Sequence, residues 1–537
     1  MADSYIQVPP DSTGKKIASE AITEIYIDNF TEGSIALGDI LFGGTSNATG
    51  KVTGVVLEGS GEAKIYLKDA SGTWLDNEAV EVNAVIVGNV NWTGHSQLDA
   101  EYQKILIADP NNPSYIQSID RFGATVNTFT DGAPTFSPFG AMVTGERQNI
   151  KAYSFDYDNM DQDFTTVIAG AGTATFEPIT GCSLITTGTA SGDLAQRTTD
   201  FYHPYKPGVG QQFLVTVQVG DNGKTNVVRR WGYYDDDNGV FWELDGTQLS
   251  VVLRSNTTGV VTETRINQQD FHLDQLDGTD SIGFNLDLTK SNIFLIDLQW
   301  LGSGRVRFGV SEPEGAFIIA HIMENANVNT VLPYMRTASL PFRYEQENTG
   351  VAVSGSEMKI ACATVNHSSK VYITGPKFST NSNIKTLSVL NQEEPLYSFR
   401  PATTFAGQTN RCLSKGVSNN FANLSGDGVV LFRLYFAGSD ATLTNQAFAV
   451  HAANSSTEID TAATAFNPAL AQCAATMIVA PGETIYVVDP APKDLHTFEL
   501  YLGADGTTQP TVTVTAELIS GTTADVMGTV NWEEIRS

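Results

Sequence analysis

The clearest pattern along the chain is an alternation of short apolar runs with turn residues. Val227–Tyr234 and the stretches 240–244 and 249–254 are apolar and aromatic, and Asn238-Gly239 and Asp245-Gly246 stand between them. Such dipeptides between β-rich runs are the strongest local signal for hairpins. Further strands are predicted at 212–219, 293–300, 305–310 and 316–321. The unbroken apolar runs at 293–296 and 316–320 predict central strands covered on both faces. Turns recur every 8–12 residues or so, the spacing of a sandwich or jelly roll.

The same reading divides the chain. Residues 1–30 form an extended arm, because Val8-Pro9-Pro10-Asp11-Ser12-Thr13-Gly14 suits no regular element. An arm of this kind docks on a neighbouring subunit or frays. Residues 31–96 are a small barrel or sandwich with a glycine-rich turn at 43–50, completed by Trp74 and the run 80–90. Residues 97–155 are a linker with a short helix at 97–107, followed by a Pro/Gly/Phe-rich connector at 131–140. Residues 156–372 are the main sandwich. Residues 373–537 are a separate sandwich with strands at 428–436, 446–451, 484–488, 497–501 and 511–518. No fixed period repeats, which disfavours a solenoid. The expected fold class is all-β and multidomain: a small β module, a jelly-roll-like sandwich and a C-terminal sandwich.

Composition supports this. Hydrophobic residues make up 41% of the 537 residues and charged residues 17%, with 48 glycines, a poor mixture for long helices. The net charge of −29 comes from 60 acidic against 31 basic residues. Such a surface repels phosphate backbones and anionic lipid, so neither nucleic acid nor membrane is an expected partner. No apolar run reaches the roughly 18 residues needed to span a bilayer. The first ten residues have no basic and no apolar segment, and Cys182, Cys362, Cys412 and Cys473 show no paired spacing. Small buried thiols and assembly in a bacterial cytoplasm are expected.

Candidate chemistry is sparse. Gly220-Asp-Asn-Gly-Lys-Thr225 has too few residues between its glycines for a phosphate loop and reads as a hairpin turn. Gly44 to Lys51 misses the same pattern. Asp235 and Asp237, in Asp-Asp-Asp-Asn-Gly, and Asp158 and Asp161, in Asp156-Tyr-Asp-Asn-Met-Asp-Gln-Asp163, are candidate oxygen ligands for a hard cation. Their competing reading is tight, solvated loops, since Gly239 is misplaced for a calcium loop. Seven scattered histidines and the lack of a Gly-x-Ser-x-Gly elbow point to no catalytic constellation and no cofactor. Tyr202, Tyr205, Trp231, Tyr233, Tyr234 and Trp242 either stack on sugar rings or fill the sandwich core. Tyr233 and Tyr234 are neighbours on one strand, so they face opposite ways.

Four stretches, Trp231 to Leu244, Phe271 to Thr279, Leu286 to Gly309 and Leu340 to Glu345, together resemble a family of tailed-bacteriophage virion structural proteins. Asp11 to Lys16 shares that resemblance, and the turn from Gly43 to Thr49 is similar to small β-modules of phage tail and fibre proteins. The resemblance covers roughly residues 115–365 and hardly touches residues 373–537. It implies a virion component without catalytic residues: an oligomer, with a trimer favoured, that contacts major capsid or tail proteins. Three placements follow. The first is a capsid decoration or head-fibre protein anchored by its N-terminal region. The second is a tail fibre or receptor-binding protein that recognises host surface glycan. The third is a polysaccharide-cleaving tailspike, which the lack of a β-helix pattern disfavours.

Overall fold

A computed structural model describes residues 147–488 and 499–536, apart from 280–282, 314, 316, 329–330 and 370–372. Between residues 16 and 126 it describes the strands and a few turn residues. The protein is all-β: among the described residues the helical segments are three single 3₁₀ turns. Among the described residues no helix is long and apolar enough to cross a membrane. The chain divides into two compact units, Met1–Gly132 and Ala133–Ser537.

In the first unit, nine strands join one antiparallel sheet. The long strand Lys16–Asp28 pairs with Glu62–Ser71, Val85–Val90 and Glu101–Asp109. Leu41, Val52, Ile65, Leu67 and Val80 form its core. The glycine-rich turn joins strands Ile40–Gly43 and Thr49–Gly59, with the Gly43 amide donating to the Ala48 carbonyl at 2.8 Å. The helix expected at 97–107 is replaced by the strand Glu101–Asp109, whose Ile107 and Ile105 stand opposite Ile17 and Ser19. Its β-branched residues suit a strand once a partner is present, and that partner is remote in sequence. Of the arm expected at residues 1–30, residues 16–28 are instead the long strand Lys16–Asp28, because three partners take up its backbone hydrogen bonds; residues 1–15, Trp74 and the connector at 131–140 lie outside the described residues.

The second unit holds two sandwiches. The first faces a seven-stranded sheet against an eight-stranded one. The seven-stranded order is Phe164–Ala169, Leu194–Thr199, Phe342–Asn348, Val227–Tyr234, Gly239–Asp245, Gln248–Ser255 and Thr262–Asn267. The other sheet centres on Ser356–His367, Gln211–Gln218 and Ser291–Leu298. The predicted hairpins at Asn238-Gly239 and Asp245-Gly246 are present, with Tyr234 opposite Gly239 and Asp245 opposite Gln248. Residues Gly220 to Thr225 do not close a hairpin. Gln211–Gln218 and Val227–Tyr234 lie in different sheets, so this turn crosses the sandwich. Asp221 fixes the crossover by accepting two bonds from buried Arg229, at 2.7 and 2.9 Å. The run predicted as a central strand at 316–320 belongs to the edge strand Phe317–Met323. Of its described residues, Ile318 and Ala320 enter the core, at alternate positions.

Aromatic residues fill the space between the sheets. Trp231 stands opposite Trp242 on adjacent strands. Phe294 of the facing sheet packs between them, with ring centroids 4.9 and 5.2 Å away. Tyr233, Phe213, Phe342 and Tyr344 continue the layer. Trp300, just past the strand Ser291–Leu298, is half-buried at the rim, edge-on to Tyr205, and its indole N–H donates to the Met335 carbonyl at 3.2 Å.

The second sandwich pairs two six-stranded sheets. One is built on Ala524–Ile535 and Leu413–Gly426, the other on Glu393–Pro401, Thr511–Ser520 and Val429–Ala437. Tyr397, Phe421, Phe432, Val514 and Trp532 are among its core residues. Phe201, Leu413 and Ile535 join the two sandwiches in a small shared cluster. The amide of Ala504 donates to Asp200 at 2.8 Å beside that cluster, and Phe201 meets Tyr501 edge-on at 5.6 Å.

Burial predicts the order of two tryptophan substitutions. Trp242→Ala, in a fully buried site, is expected to cost about 3–5 kcal/mol, and Trp300→Ala clearly less. Chemical denaturation of both variants checks this; equal losses would contradict the assignment of Trp300 to the rim.

Candidate functional site

The aromatic residues considered for sugar stacking are withdrawn into the protein. Tyr205, Tyr233, Trp231 and Trp242 belong to the core cluster. The Tyr233 hydroxyl donates to the carbonyls of His203 and Ala338 at 3.1 and 3.2 Å. Tyr234 does face the opposite side of its sheet, as strand alternation requires. There it packs on Phe241, with centroids 4.3 Å apart. The guanidinium groups of Arg254 and Arg343 cover it at 5.4 and 5.3 Å. Glutamates hold this arginine layer flat. Arg230 donates to Glu243 and Glu345, each at 2.6 Å, and Arg265 donates to Glu243 at 2.7 Å. Gly232 lies in the middle of this face because a Cβ there would sit 2.6 Å from the Cα of Phe241. None of Tyr205, Tyr233, Tyr234 or Trp242 offers a sugar platform. Tyr202 is buried as well, but it lies under the wall of the cleft described below.

The aspartates considered for cation binding are engaged otherwise. Asp235 Oδ1 accepts from the amides of Asp237 and Asn238 at 2.9 and 2.8 Å, closing the hairpin turn. Asp237 accepts from Asn256 Nδ2 at 2.8 Å. Asp158 caps its own loop through the Met160 amide at 2.8 Å. Asp161 Oδ1 accepts one bond from Arg197 at 2.9 Å and one from Asn159 Nδ2 at 3.0 Å. Arg197 is fully buried and also donates to Asn159, Ser183 and Tyr344. Its guanidinium supplies the positive charge that a metal would have brought to this loop. Among the described residues no group of three or more candidate ligands converges. Cys182 and Cys412 are buried as expected, whereas Cys362 and Cys473 are exposed on strands.

A cleft of about 540 Å³ opens where the two sandwiches meet. One wall is the Asp235–Asn238 turn with Trp300, Arg336 and Thr337. The Asn238 side chain anchors that wall, its Oδ1 accepting from the Arg336 amide at 2.9 Å. The facing wall is a tight hairpin in which Phe405 pairs with Gln408. Its two central residues, Ala406 and Gly407, have φ of 50° and 76°, the signature of a type I′ turn. Behind it, Asn410 is held through the carbonyls of Ala402 and Ser456, each at 2.8 Å. Arg411 donates to the carbonyls of Gly503 and Ala504 at 2.9 and 3.0 Å and lies 4.2 Å over the Tyr202 ring. Arg536 crosses Phe405 at 4.8 Å and pairs with Glu534 at 2.9 Å. Burial pushes the Asp235 carboxyl above the usual carboxylate range and the Cys412 thiol up to about 11. The floor is thus polar and fixed, with two aromatic edges. Arg336, Arg411, Arg536 and Phe405 were not singled out from sequence. The Phe405-Ala-Gly-Gln turn was the one local signal available.

Histidines meet in two further places. His272 and His321 bring their Nδ1 atoms within 3.0 Å, at a β-bulge between Phe308 and Gly309. His203 is buried between the Tyr153 hydroxyl, at 3.1 Å, and the Leu340 carbonyl, at 2.9 Å.

No protein-family model matches the chain, and no curated protein sequence matches it. Among solved structures, an endo-β-1,4-glucuronan lyase from the fungus Trichoderma reesei is similar over 41% of this chain and 95% of its own, at 8% identity and a TM-score of 0.26. A β-1,3-glucanase from Mycobacterium marinum is similar over 41% of this chain and 99% of its own, at 12% identity and a TM-score of 0.26. A structure described under endo-acting O-glycanases of the human gut microbiota covers 41% of this chain and 99% of its own, at 10% identity and a TM-score of 0.30. These three carry the names of glycan-cleaving enzymes, against the expectation of a chain without enzymatic activity. At such TM-scores the likeness transfers no catalytic residue and no mechanism.

The buried imidazoles set an acid limit on stability. Burial lowers His203 to about 3, and burial together with the neighbouring His272 lowers His321 to about 4, from 6.5. Folding therefore disfavours their protonated forms. That cost is absent above pH 6.5 and grows as the pH falls through the window down to about 4 and 3. His321→Gln is expected to flatten the loss of stability between pH 6.5 and 4.5 relative to the wild type. Denaturant midpoints across that range check it; parallel curves would contradict the assignment.

Proposed function

We propose that this chain is a surface component of a tailed-phage virion that recognises glycan in the cleft between its two sandwiches. The observation that carries the glycan part is the convergence, in one concave site, of fixed polar groups and aromatic edges from both sandwiches. Ligand sites are characteristically concave, with a few placed polar groups between apolar walls. The cleft walls are braced from behind by strand pairing, the shared Phe201–Leu413–Ile535 cluster and the Arg411 bonds, so little ordering has to accompany binding. The virion part rests on the resemblance of the stretches around Trp231, Leu286 and Leu340 to tailed-phage structural proteins.

In this reading the N-terminal region anchors the chain to capsid or tail proteins, and symmetric self-association, as a trimer, places several clefts on one particle. Several weak sugar contacts then act together, which raises avidity without new contacts. A receptor-binding place on the tail is favoured over a purely decorative place on the head, because decoration alone needs no cleft.

Purified full-length protein is expected to bind the surface polysaccharide of the phage's host. Ala406→Pro, which is incompatible with a positive φ, is expected to weaken that binding by about tenfold or more. Surface plasmon resonance on immobilised host polysaccharide checks this. Absence of binding by the wild type would overturn the glycan part. Incorporation of a chain lacking residues 1–30 into particles at the normal level would overturn the anchoring part.

A further inference from the structure

The cleft is an unusual place on a chain with a net charge of −29. Three arginines, Arg336, Arg411 and Arg536, line it against two carboxylates, Asp235 and Asp237. The two carboxylates are already turned to other work. Asp235 accepts from the amides of its own turn and Asp237 from Asn256. The arginines are not equally engaged. Arg411 is locked by two carbonyls and by the Tyr202 ring, which leaves further N–H donors on the same rigid plane. Arg536 keeps a buried Nε with no hydrogen-bond partner. Arg336 is exposed, and its backbone amide, not its side chain, makes the bond that holds it.

Building on the glycan reading, we propose that the cleft selects sugars that carry a carboxylate, such as uronic or sialic acids, with Arg336 and Arg411 as the groups that receive the carboxylate. A guanidinium offers two parallel donors that match the two oxygens of a carboxylate, and such charge-assisted pairs are stronger than neutral ones. Half-buried Trp300 and Phe405 supply apolar edges for the ring carbons of the sugar. A neutral sugar would leave the arginine donors to water, whereas an acidic one satisfies them. The acidic surface elsewhere on the chain repels such a ligand, so its attraction is confined to this cleft and weakens as salt rises.

The test uses full-length protein and oligomers of galacturonate, glucuronate and sialic acid, each beside its carboxyl-reduced counterpart, in isothermal titration at low and physiological salt. The expected result is at least about tenfold tighter binding of one or more acidic oligomers than of the reduced form. That preference should be lost in Arg336→Gln, an exposed change that leaves the fold intact, and in Arg411→Gln. Equal binding of acidic and reduced forms would overturn the acidic preference and leave the glycan reading standing. No binding of any form, together with no binding of host polysaccharide, would remove both. An acidic preference that survives in both variants would overturn the assignment to this cleft. Thermal unfolding of Arg336→Gln at the wild-type temperature makes its result decisive even where Arg411→Gln is destabilised.

Discussion

The structure of the central sandwich depends on one constraint: its seven-stranded sheet must be covered on both faces. The inner face does this through the interlock of Trp231, Trp242 and Phe294 across the gap between sheets. Large rings bury much apolar area with little loss of rotamer freedom, and their edge-on contacts add to that burial. The outer face solves the same problem differently. Tyr234, Phe241 and Val252 form a small apolar island, and a lattice of arginines and glutamates lies flat over it. The guanidinium groups of Arg254 and Arg343 lie over the Tyr234 ring, and the arginines of this layer pair with Glu263, Asp236, Glu243 and Glu345.

That second solution has a functional consequence. A sheet face whose aromatics are roofed by paired charges has no free ring to offer a sugar. A ligand there would first have to break several short ion pairs whose partners are largely buried. Removing one member of such a pair leaves the other uncompensated, which costs more than the pair itself contributes. The broad faces are therefore structural, and it is at the rims that turns and hairpins carry side chains that no strand neighbour covers.

Much of this was legible in the sequence, and the boundary is instructive. The hairpins around Asn238-Gly239 and Asp245-Gly246 were readable because turn chemistry is local. The strand Ala524–Ile535 was readable too, since its buried positions alternate from Ala524 through Val526, Val530 and Trp532, yet it went unread beside stronger signals. The crossover at Gly220 to Thr225 was not readable as such. A glycine-rich turn looks the same whether its flanking strands pair with each other or with different sheets. The strand at 101–109 was mistaken for a helix because its partner, Lys16–Asp28, is distant in sequence. The aromatic stretch at 231–242 displayed two faces by alternation, but nothing local said that arginines from three other strands would cover the outer one. The loop aspartate Asp161 looked like a ligand because its partner, Arg197, is 36 residues away in the chain.

The cleft lay further out of reach for the same reason. Tyr202, Arg336, Phe405, Arg411 and Arg536 belong to two sandwiches and are brought together only by the way those sandwiches dock. The docking itself is modest, a three-residue apolar cluster with a few polar bonds, and a junction of that kind is flexible by default. What stiffens it is that side chains lining the cleft also hold the junction. Arg411 ties the 503–504 carbonyls to the ring of Tyr202, and Asp200, near that ring in the chain, receives the Ala504 amide. Any substitution that loosens Arg411 would widen the cleft and unlock the junction together. If the cleft binds as proposed, binding and domain docking are coupled at this residue, and a ligand that engages Arg411 would stabilise the pair of sandwiches by the free energy of its binding to the docked form alone.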